Sequence, residues 1–147
     1  KLHGINTGLD TSGMFPLELV QTDILPYLDF IYFDLKLIDP EESKKYTGGS
    51  SEPILKNFLF LNHEAAIPVI ARIPLIPEIT ATQKNLNDIS RFLKKFGITA
   101  CTLMPYNPLW QDKAEKCGIP LRYSHPGFMS QREEEDCVRF FSTNAKP

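Results

Sequence analysis

The sequence predicts an α/β fold with a mainly parallel sheet of about four strands, each followed by a helix. Short segments rich in β-branched and aromatic residues alternate with segments of helical periodicity, and helix-capping signals separate them. Strands separated by helices pair in parallel through right-handed crossovers. The chain has 147 residues, of which 42% are hydrophobic, and this size suits a single domain with one core.

Two strands are predicted in the first part of the chain. Residues 5–9 alternate apolar or β-branched side chains with polar or small ones, as a strand does, and residues 10–13 form a predicted turn. A helix is predicted over residues 16–25. The second strand is predicted over residues 30–33 and continues into residues 34–36, which place two charges at the end of a strand.

Two helices are predicted before the third strand. Asp39 can cap a helix that runs to about residue 46, because Pro40 suits the first helical position and acidic residues follow it. Ser51 is expected to cap the next helix, whose apolar stripe ends near residue 65.

The third strand is predicted over residues 69–76, and Pro74 inside it indicates a bulge or a sheet edge. Residues 80–83, Thr-Ala-Thr-Gln, form a predicted capping box for a helix that Gly97 ends. The fourth strand is predicted over residues 100–104. A stretch rich in proline and glycine follows, and loops of this kind often shape a site.

The last predicted helix begins at a second capping box, formed by Ser130 and Glu133.

The chain's composition also excludes several classes of function. A formal charge of -2 without a basic block argues against nucleic acid as a partner. No apolar run long enough for a bilayer and no signal-peptide pattern occur, so we expect a cytoplasmic protein with no membrane partner. The three cysteines and three histidines lack the spacing of metal ligands, so no metal is assigned from spacing.

Polar side chains stand near the predicted carboxyl ends of all four strands. In parallel α/β folds this edge binds the ligand, because loops and helix N-termini converge there. The residues concerned are Asp10, Thr11, Asp34, Lys36, Arg72, Tyr106 and Asn107.

Each of these side chains also has a purely structural interpretation. Asp10 can close an Asx turn, and Asn107 before Pro108 is a common turn residue. Asp34 and Lys36 lie on the same face of a strand and can form a local ion pair. Arg72 can emerge at the rim of the sheet. The functional interpretation therefore depends on their coincidence at one edge.

Four motifs in order extend this observation along nearly the whole chain. Together they resemble the C-terminal half of the radical S-adenosylmethionine (SAM) activating enzymes of glycyl radical enzymes, typified by pyruvate formate-lyase activating enzyme. The motifs are Leu9-Asp10-Thr11-Ser12-Gly13, Tyr32-Phe33-Asp34-Leu35-Lys36, Arg72-Ile73-Pro74-Leu75-Ile76-Pro77 and Leu103-Met104-Pro105-Tyr106-Asn107.

The resemblance implies the second half of a partial (β/α)6 TIM-like barrel, with the N-terminal cluster-binding half absent. In that family a [4Fe-4S] cluster in a CxxxCxxC loop cleaves SAM reductively. The 5′-deoxyadenosyl radical then takes a hydrogen atom from a glycine of a pyruvate formate-lyase-like partner in anaerobic metabolism. This oxidoreductase chemistry needs a CxxxCxxC that the 147 residues lack. The resemblance therefore implies that this chain holds no catalytic residue and no cluster ligand, and is inactive alone.

The resemblance also implies roles for five cofactor-binding residues. Asp10 and Asp34 are expected beside SAM. Lys36 corresponds to a lysine near the cofactor's ribose and carboxylate, and Arg72 to an arginine that suits a carboxylate. Asn107 stands where the pyruvate formate-lyase activator has a histidine near adenine, so the adenine contact is open.

A monovalent cation is a further implication of the resemblance. Asp10, Thr11 and Asp34 correspond to residues that help to bind such an ion in the family. Hard oxygen ligands of this kind suit it.

Two other interpretations of the chain stay open. The first is a Schiff-base lyase or aldolase of the (β/α)-barrel type, with Lys36 as the nucleophile and Asp34 assisting proton transfer. Such a lysine must be neutral, whereas a neighbouring carboxylate favours the charged ammonium. The second is a non-catalytic docking module.

Overall fold

The computed structural model of the chain describes residues 3–125 and 127–142; residue 126 of the predicted loop and both chain ends lie outside this part. In chain order the elements are β1 (Gly8–Thr11), α1 (Leu17–Leu19), a π-helical segment (Val20–Ile24), a 3-10 turn (Leu25–Tyr27), β2 (Phe30–Asp34), α2 (Pro40–Thr47), α3 (Ser51–Glu64), β3 (Val69–Pro74), α4 (Gln83–Lys95), β4 (Cys101–Met104), α5 (Trp110–Lys116) and α6 (Gln131–Ser142). The strands form one sheet in the order β1-β2-β3-β4, and every neighbouring pair is parallel. The predicted fold class is confirmed.

The sheet has one face covered by helices and one face that is open. On the covered face, Ile31, Phe33, Ala71 and Ile73 of the two central strands are fully buried. The strand residues between them lie on the opposite side, because side chains alternate along a strand. This opposite side, here called the open face, is exposed or half-buried and carries Asp10, Tyr32, Asp34, Ile70, Arg72, Thr102 and Met104.

Apolar side chains from the helices pack against the covered face. The rings of Phe33 on β2 and Phe58 on α3 have centroids 5.0 Å apart. In α4, Leu86, Ile89 and Leu93 are buried and form the stripe of this helix that faces the core. This core holds the strands in register, so the polar residues of the open face have a rigid base.

A tight turn fixes the chain as it leaves β1. The amide nitrogen of Asn57 on α3 donates to the carbonyls of Gly13 and Phe15, both at 2.9 Å. Gly13 has a φ of 79°, and a Cβ on it would lie 2.1 Å from the Phe33 ring. Only glycine satisfies both the left-handed backbone and the close approach.

We therefore expect Gly13→Ala to destabilise the chain by about 2–4 kcal/mol, from overpacking against Phe33 plus left-handed strain. Gly118→Ala is the matched control, because Gly118 has a φ of 65° and open space around it. The control should lose only about 1–2 kcal/mol, the strain alone. Urea unfolding of both variants gives the comparison, and equal destabilisation would contradict the close packing of the turn.

The predicted regular helix over residues 16–25 is wrong. After the short α1 the chain widens into the π-helical segment, where the Leu25 N–H donates to the Val20 carbonyl five residues back. Pro26 has no N–H with which to continue an α-helical ladder. The segment still connects β1 to β2, so the crossover is kept.

The predicted cap of α3 is also wrong by one residue. Ser50 caps this helix by accepting the Glu52 N–H at 3.3 Å. The Ser51 hydroxyl is buried and donates to the Ile38 carbonyl at 2.6 Å. The Ser51 hydroxyl thus makes a tertiary hydrogen bond and is not the helix cap that the local pattern predicted.

The capping box predicted at residues 80–83 is displaced by two residues. Thr82 caps α4 by accepting the Asn85 N–H at 3.2 Å. The Thr80 hydroxyl instead accepts the Ile76 N–H at 2.7 Å and donates to the Pro74 carbonyl. Thr80 therefore fixes the turn after β3 and does not start the helix.

Two predicted strands differ from the structure. β1 occupies Gly8–Thr11 and not residues 5–9, because its pairing with β2 begins at Gly8. Asp10 and Thr11 accordingly lie inside the strand and not in a turn after it. Pro74 ends β3 in continuous register with β4, and β3 lies between two strands, so the predicted bulge or edge is wrong.

Several other local predictions are confirmed. Asp39 caps α2 by accepting the N–H groups of Glu41 and Glu42. Ser130 and Glu133 form the predicted capping box of α6, in which hydrogen bonds from Ser130 hold the pKa of the Glu133 carboxyl below its usual value. The proline-rich stretch contains α5, which no pattern indicated. In residues 3–125 and 127–142, every helix is too short or too polar to cross a bilayer.

Candidate functional site

Four charged residues meet on the open face near the carboxyl ends of the strands. Asp34 at the end of β2 lies directly opposite Arg72 of β3, because the parallel register pairs them. Asp10 of β1 pairs with Tyr32, two residues before Asp34, and Lys36 follows two residues after it. Asp10, Asp34, Lys36 and Arg72 are called the charged cluster below.

Asp34 is the hub of the charged cluster. Its Oδ1 accepts from Arg72 Nε at 3.0 Å and from Arg72 Nη2 at 2.8 Å. Its Oδ2 accepts from Lys36 Nζ at 3.1 Å. The same Arg72 Nη2 also donates to Asp10 Oδ1. One carboxylate therefore holds two cations, and one guanidinium joins two carboxylates.

The members of the charged cluster differ in burial. The side chains of Arg72 and Asp34 are 18% and 17% exposed, whereas that of Asp10 is 63% exposed. Burial alone would lower the pKa of Arg72, but hydrogen bonds to Asp34 and Asp10 outweigh it and raise that pKa. The Arg72–Asp34 pair is thus the structural part of the cluster, and Asp10 is its solvent-facing part.

Tyr32 is a neighbour of the charged cluster that sequence reasoning missed. The Arg72 guanidinium carbon lies 5.2 Å from the centroid of its ring, a cation–π arrangement. The ring also meets Phe30 edge-on, with centroids 5.0 Å apart. Because Tyr32 is two residues before Asp34, strand alternation is the signal that predicts their common face.

The structure separates Thr11 from the carboxylates with which it was grouped. Alternation along β1 puts Thr11 on the side opposite Asp10, and its hydroxyl accepts the Gly13 N–H at 3.0 Å. Between Asp10 and Asp34 lies the guanidinium of Arg72. The two carboxylates are therefore already paired with cations of the chain, Arg72 between them and Lys36 on Asp34.

Asn107 lies after β4, and its side chain has a local partner. Its Oδ1 accepts the Leu109 N–H at 2.9 Å, which is the turn geometry that its sequence position also predicts. Tyr106 is buried, and its hydroxyl accepts from Trp110 Nε1 at 3.0 Å and from Gln111 Nε2 at 3.2 Å. Asn107 borders a cavity of about 300 Å³ together with Trp110.

A larger cavity of about 620 Å³ opens beside the charged cluster and shares Lys36 with it. Four parts of the chain line this space, here called the mouth cavity: the residues after β2, the end of α2, the turn after β3, and the segment that follows β4. Its position at the carboxyl ends of the strands is where a ligand of a parallel α/β protein is expected. Its lining includes Tyr46, Glu78, Trp110, Arg122 and Tyr123.

The cysteines of the described chain do not converge. Cys101 is half-buried on β4, Cys117 is exposed after α5, and Cys137 is buried on α6. Burial raises the pKa of the Cys101 and Cys137 thiols, which disfavours the thiolate that a metal requires. Residues 3–125 and 127–142 contain no group of three His, Cys, Asp or Glu side chains arranged for a metal ion. This donor set does not fit an iron–sulfur cluster.

Curated relatives identify the class of protein that this chain resembles. It is 37% identical over 122 residues to the (2S)-3-sulfopropanediol dehydratase activating enzyme of Klebsiella oxytoca, a match that covers 81% of this chain. It is 34% identical over 148 residues to the trans-4-hydroxy-L-proline dehydratase activating enzyme of Clostridioides difficile, covering 98% of this chain. The chain's homologues are glycyl radical enzyme activating enzymes.

A solved structure agrees with the fold of this activating-enzyme homologue. A domain of the pyruvate-formate lyase-activating enzyme from Bacteroides vulgatus superposes with a TM-score of 0.71 at 23% identity, covering 98% of this chain and 80% of that domain. The four parallel strands thus match a radical SAM partial barrel. No protein-family model matches the chain.

The activating-enzyme homologue corresponds to only part of its relatives. It spans 38% of the Klebsiella oxytoca protein and 48% of the Clostridioides difficile protein. Three of the four motifs that carry the resemblance supply the charged cluster, which therefore belongs to the part of the fold that the chain shares with them.

Proposed function

We propose that residues 1–147 form a single domain, the C-terminal half of a radical SAM activating enzyme whose cluster-binding half lies outside them. The charged cluster on an open sheet face is the observation that carries the proposal, because it presents two cations and two carboxylates where the family's ligand lies. The absence of a CxxxCxxC from the 147 residues and the partial coverage of the relatives support it.

The donor set of the charged cluster fits SAM. Arg72 has a planar fork that suits a carboxylate, although its Nε and Nη2 donate to Asp34 and Asp10 in this structure. Lys36 offers a compact ammonium for the carboxylate or ribose. Asp34 orients both cations through separate oxygens. When bound and reductively cleaved, SAM would supply the radical that takes a hydrogen atom from glycine. This chain's contribution is to bind and orient the cofactor.

The monovalent cation stays a proposal for Asp10, Thr11 and Asp34. Carboxylate oxygens of Asp10 and Asp34 are suitable ligands, but the Arg72 guanidinium now lies between them. Cation binding there requires Arg72 to turn away, which would release its donors for the carboxylate of SAM. Thr11 would contribute through its backbone or by giving up its bond to Gly13.

Asn107 is proposed for the adenine of SAM. Its Oδ1 is engaged by the Leu109 N–H, so its amide hydrogens are the groups that can donate to a ring nitrogen. The adjacent cavity of about 300 Å³, lined also by Met104 and Trp110, gives an apolar surface for a flat base. This combination replaces the histidine that the family uses.

The partner is proposed to be a glycyl radical enzyme of the pyruvate formate-lyase type, in the cytoplasm of an anaerobically growing cell. The relatives are activating enzymes of a dehydratase, a decarboxylase and a sulfite-lyase, so the common feature is the class of partner and not one substrate.

The proposal is tested with the full-length protein, loaded with iron and sulfide under anaerobic conditions and given a one-electron reductant. It is expected to form 5′-deoxyadenosine from SAM. Asp34→Ala is expected to abolish this, because Lys36 and Arg72 lose the carboxylate that they share. Asp88→Ala, a surface aspartate on α4, is the control. The 147-residue chain alone should form neither a cluster nor 5′-deoxyadenosine. Wild-type protein without SAM cleavage, or a stoichiometric cluster on the chain alone, would contradict the proposal.

A further inference from the structure

Tyr32 lies beside the charged cluster, in the middle of the open face. In the parallel register it pairs with Asp10 of β1 on one side and with Ile70 of β3 on the other. Arg72 is two residues beyond Ile70, and its guanidinium carbon lies over the Tyr32 ring, 5.2 Å from the centroid. A cation at this distance from a ring face is attracted to it, most strongly where water is excluded. The Arg72 side chain is only 18% exposed, so little water screens the attraction.

The Tyr32 ring is itself held in place by its neighbours. Phe30, on the same face of β2, meets it edge-on, with the ring centroids 5.0 Å apart. The Phe30 ring in turn lies over its register partner Gly8, because a Cβ on Gly8 would be 2.2 Å from this ring. The missing side chain of Gly8 thus makes the space that Phe30 fills. Gly8, Phe30 and Tyr32 are called the ring support below.

The hydrogen bonds of Arg72 leave part of its guanidinium for a ligand. Within residues 3–125 and 127–142 they come from Nε and Nη2, which donate to Asp34 and Asp10, and Nη1 has no acceptor there. A carboxylate binds a guanidinium best through two nitrogens at once. Nη1 and Nη2 form such a fork for a ligand once Nη2 gives up Asp10, the exposed member of the charged cluster.

A cation–π contact suits a guanidinium that changes its hydrogen-bond partner. Hydrogen bonds depend on the angle at the hydrogen, so they are lost when the donor turns. The attraction to a ring depends on the distance of the cation from the ring face and not on the direction of each N–H. Tyr32 can therefore retain the Arg72 guanidinium while Nη2 leaves Asp10.

We propose that Tyr32 is a positioning residue for Arg72: its ring holds the guanidinium in place while Nη2 exchanges Asp10 for the carboxylate of SAM. This rests on the proposed function, in which Arg72 binds that carboxylate. The ring support keeps Tyr32 at the distance that this role needs. Tyr32 acts through Arg72 alone, so the role requires its aromatic ring and not its hydroxyl.

The first measurement is the SAM affinity of the full-length protein, loaded with iron and sulfide under anaerobic conditions, by equilibrium dialysis. Tyr32→Leu should weaken binding about three- to tenfold, because leucine has no ring to attract Arg72. Tyr32→Phe keeps the ring and should bind within about twofold of wild type. Tyr27→Leu is the matched control, because Tyr27 is 62% exposed in the turn before β2, and it should change nothing. Unchanged affinity in Tyr32→Leu, or an equal loss in Tyr32→Phe, would overturn the proposal.

The second measurement needs no cofactor and reports the guanidinium itself. In NMR spectra of the isotope-labelled chain, the Arg72 Nε–H signal is the one that Arg72→Lys removes. The ring current of Tyr32 should displace this signal, so Tyr32→Leu should move it and Tyr32→Phe should leave it in place. Weaker SAM binding in Tyr32→Leu without any movement of this signal would mean that Tyr32 does not act through Arg72, and the proposal would be wrong.

The ring support gives a third, non-additive expectation. Gly8→Ala displaces the Phe30 ring and should weaken SAM binding by about two- to threefold, whereas Gly127→Ala, with open space around it, should have no effect. Because Gly8 acts through Tyr32, adding Gly8→Ala to Tyr32→Leu should cause no further loss. Additive losses, or full affinity in Gly8→Ala, would contradict the ring support.

The proposed function can fail separately from this role of Tyr32. If wild type and Tyr32→Leu bind SAM equally, the role of Tyr32 is wrong and the proposed function stands. If the wild-type full-length protein binds no SAM, the proposed function is wrong. The Arg72 Nε–H signal of the chain still shows in that case whether the Tyr32 ring holds the guanidinium.

Discussion

Arg72→Ala is expected to lower the free energy of unfolding by about 2–4 kcal/mol, because it leaves the largely buried Asp34 carboxylate with Lys36 as its remaining cationic partner. The loss should come mainly from the Arg72–Asp34 bonds, since Asp10 is mostly exposed and its pairing is screened by water. In the full-length protein the same variant is expected to lose measurable SAM binding, because the fork for the carboxylate is gone.

Urea unfolding with three controls separates these contributions. Arg91→Ala removes an exposed arginine paired with Asp88 on α4, and about 0–1 kcal/mol is expected. Asp10→Ala should fall in the same range. Arg72→Lys should recover part of the stability but little of the SAM affinity, because an ammonium cannot replace the fork. A loss with Arg72→Ala no larger than that with Arg91→Ala would show that the charged cluster does not support the sheet.

The fold of this chain was accessible to sequence reasoning because its signals are local. The alternation of short strands with capped helices predicts a parallel α/β sheet. Asp39 and Ser130, which were predicted as helix caps, cap α2 and α6 in the structure. Where a side chain has a tertiary partner, the local pattern fails. The Ser51 hydroxyl donates to the Ile38 carbonyl, and the Thr80 hydroxyl holds the turn after β3. The caps are therefore Ser50, one residue earlier, and Thr82, two residues later.

The candidate site was accessible only in part. The spacing of Asp34 and Lys36 predicts their common face, and the structure shows their ion pair at 3.1 Å. Asp34 and Arg72 are 38 residues apart in the sequence, and their pairing depends on the register between β2 and β3, which no local pattern encodes. No local pattern predicts that Trp110 and Arg122 line the mouth cavity either. They lie in a stretch rich in proline that was predicted to be irregular, although it contains α5.

Lys36→Ala in the full-length protein is expected to weaken SAM binding by about 1–3 kcal/mol, the range of a charge-assisted hydrogen bond. The folded chain should lose little stability, because Asp34 keeps both of its bonds from Arg72. Lys56→Ala, which removes an exposed lysine on α3, is the control and should leave the affinity unchanged. Equilibrium dialysis of the two variants against SAM gives the comparison.

The same lysine separates cofactor binding from the Schiff-base lyase interpretation. A lyase needs the Lys36 Nζ free to attack a carbonyl, whereas this atom donates to Asp34 Oδ2 at 3.1 Å and is engaged in an ion pair. Arg72 leaves this bond in place, because it binds the other oxygen of the same carboxylate. Borohydride with pyruvate or small aldehydes should therefore trap no adduct at Lys36. Stoichiometric trapping there, with SAM affinity unchanged in Lys36→Ala, would replace the radical SAM proposal by the lyase.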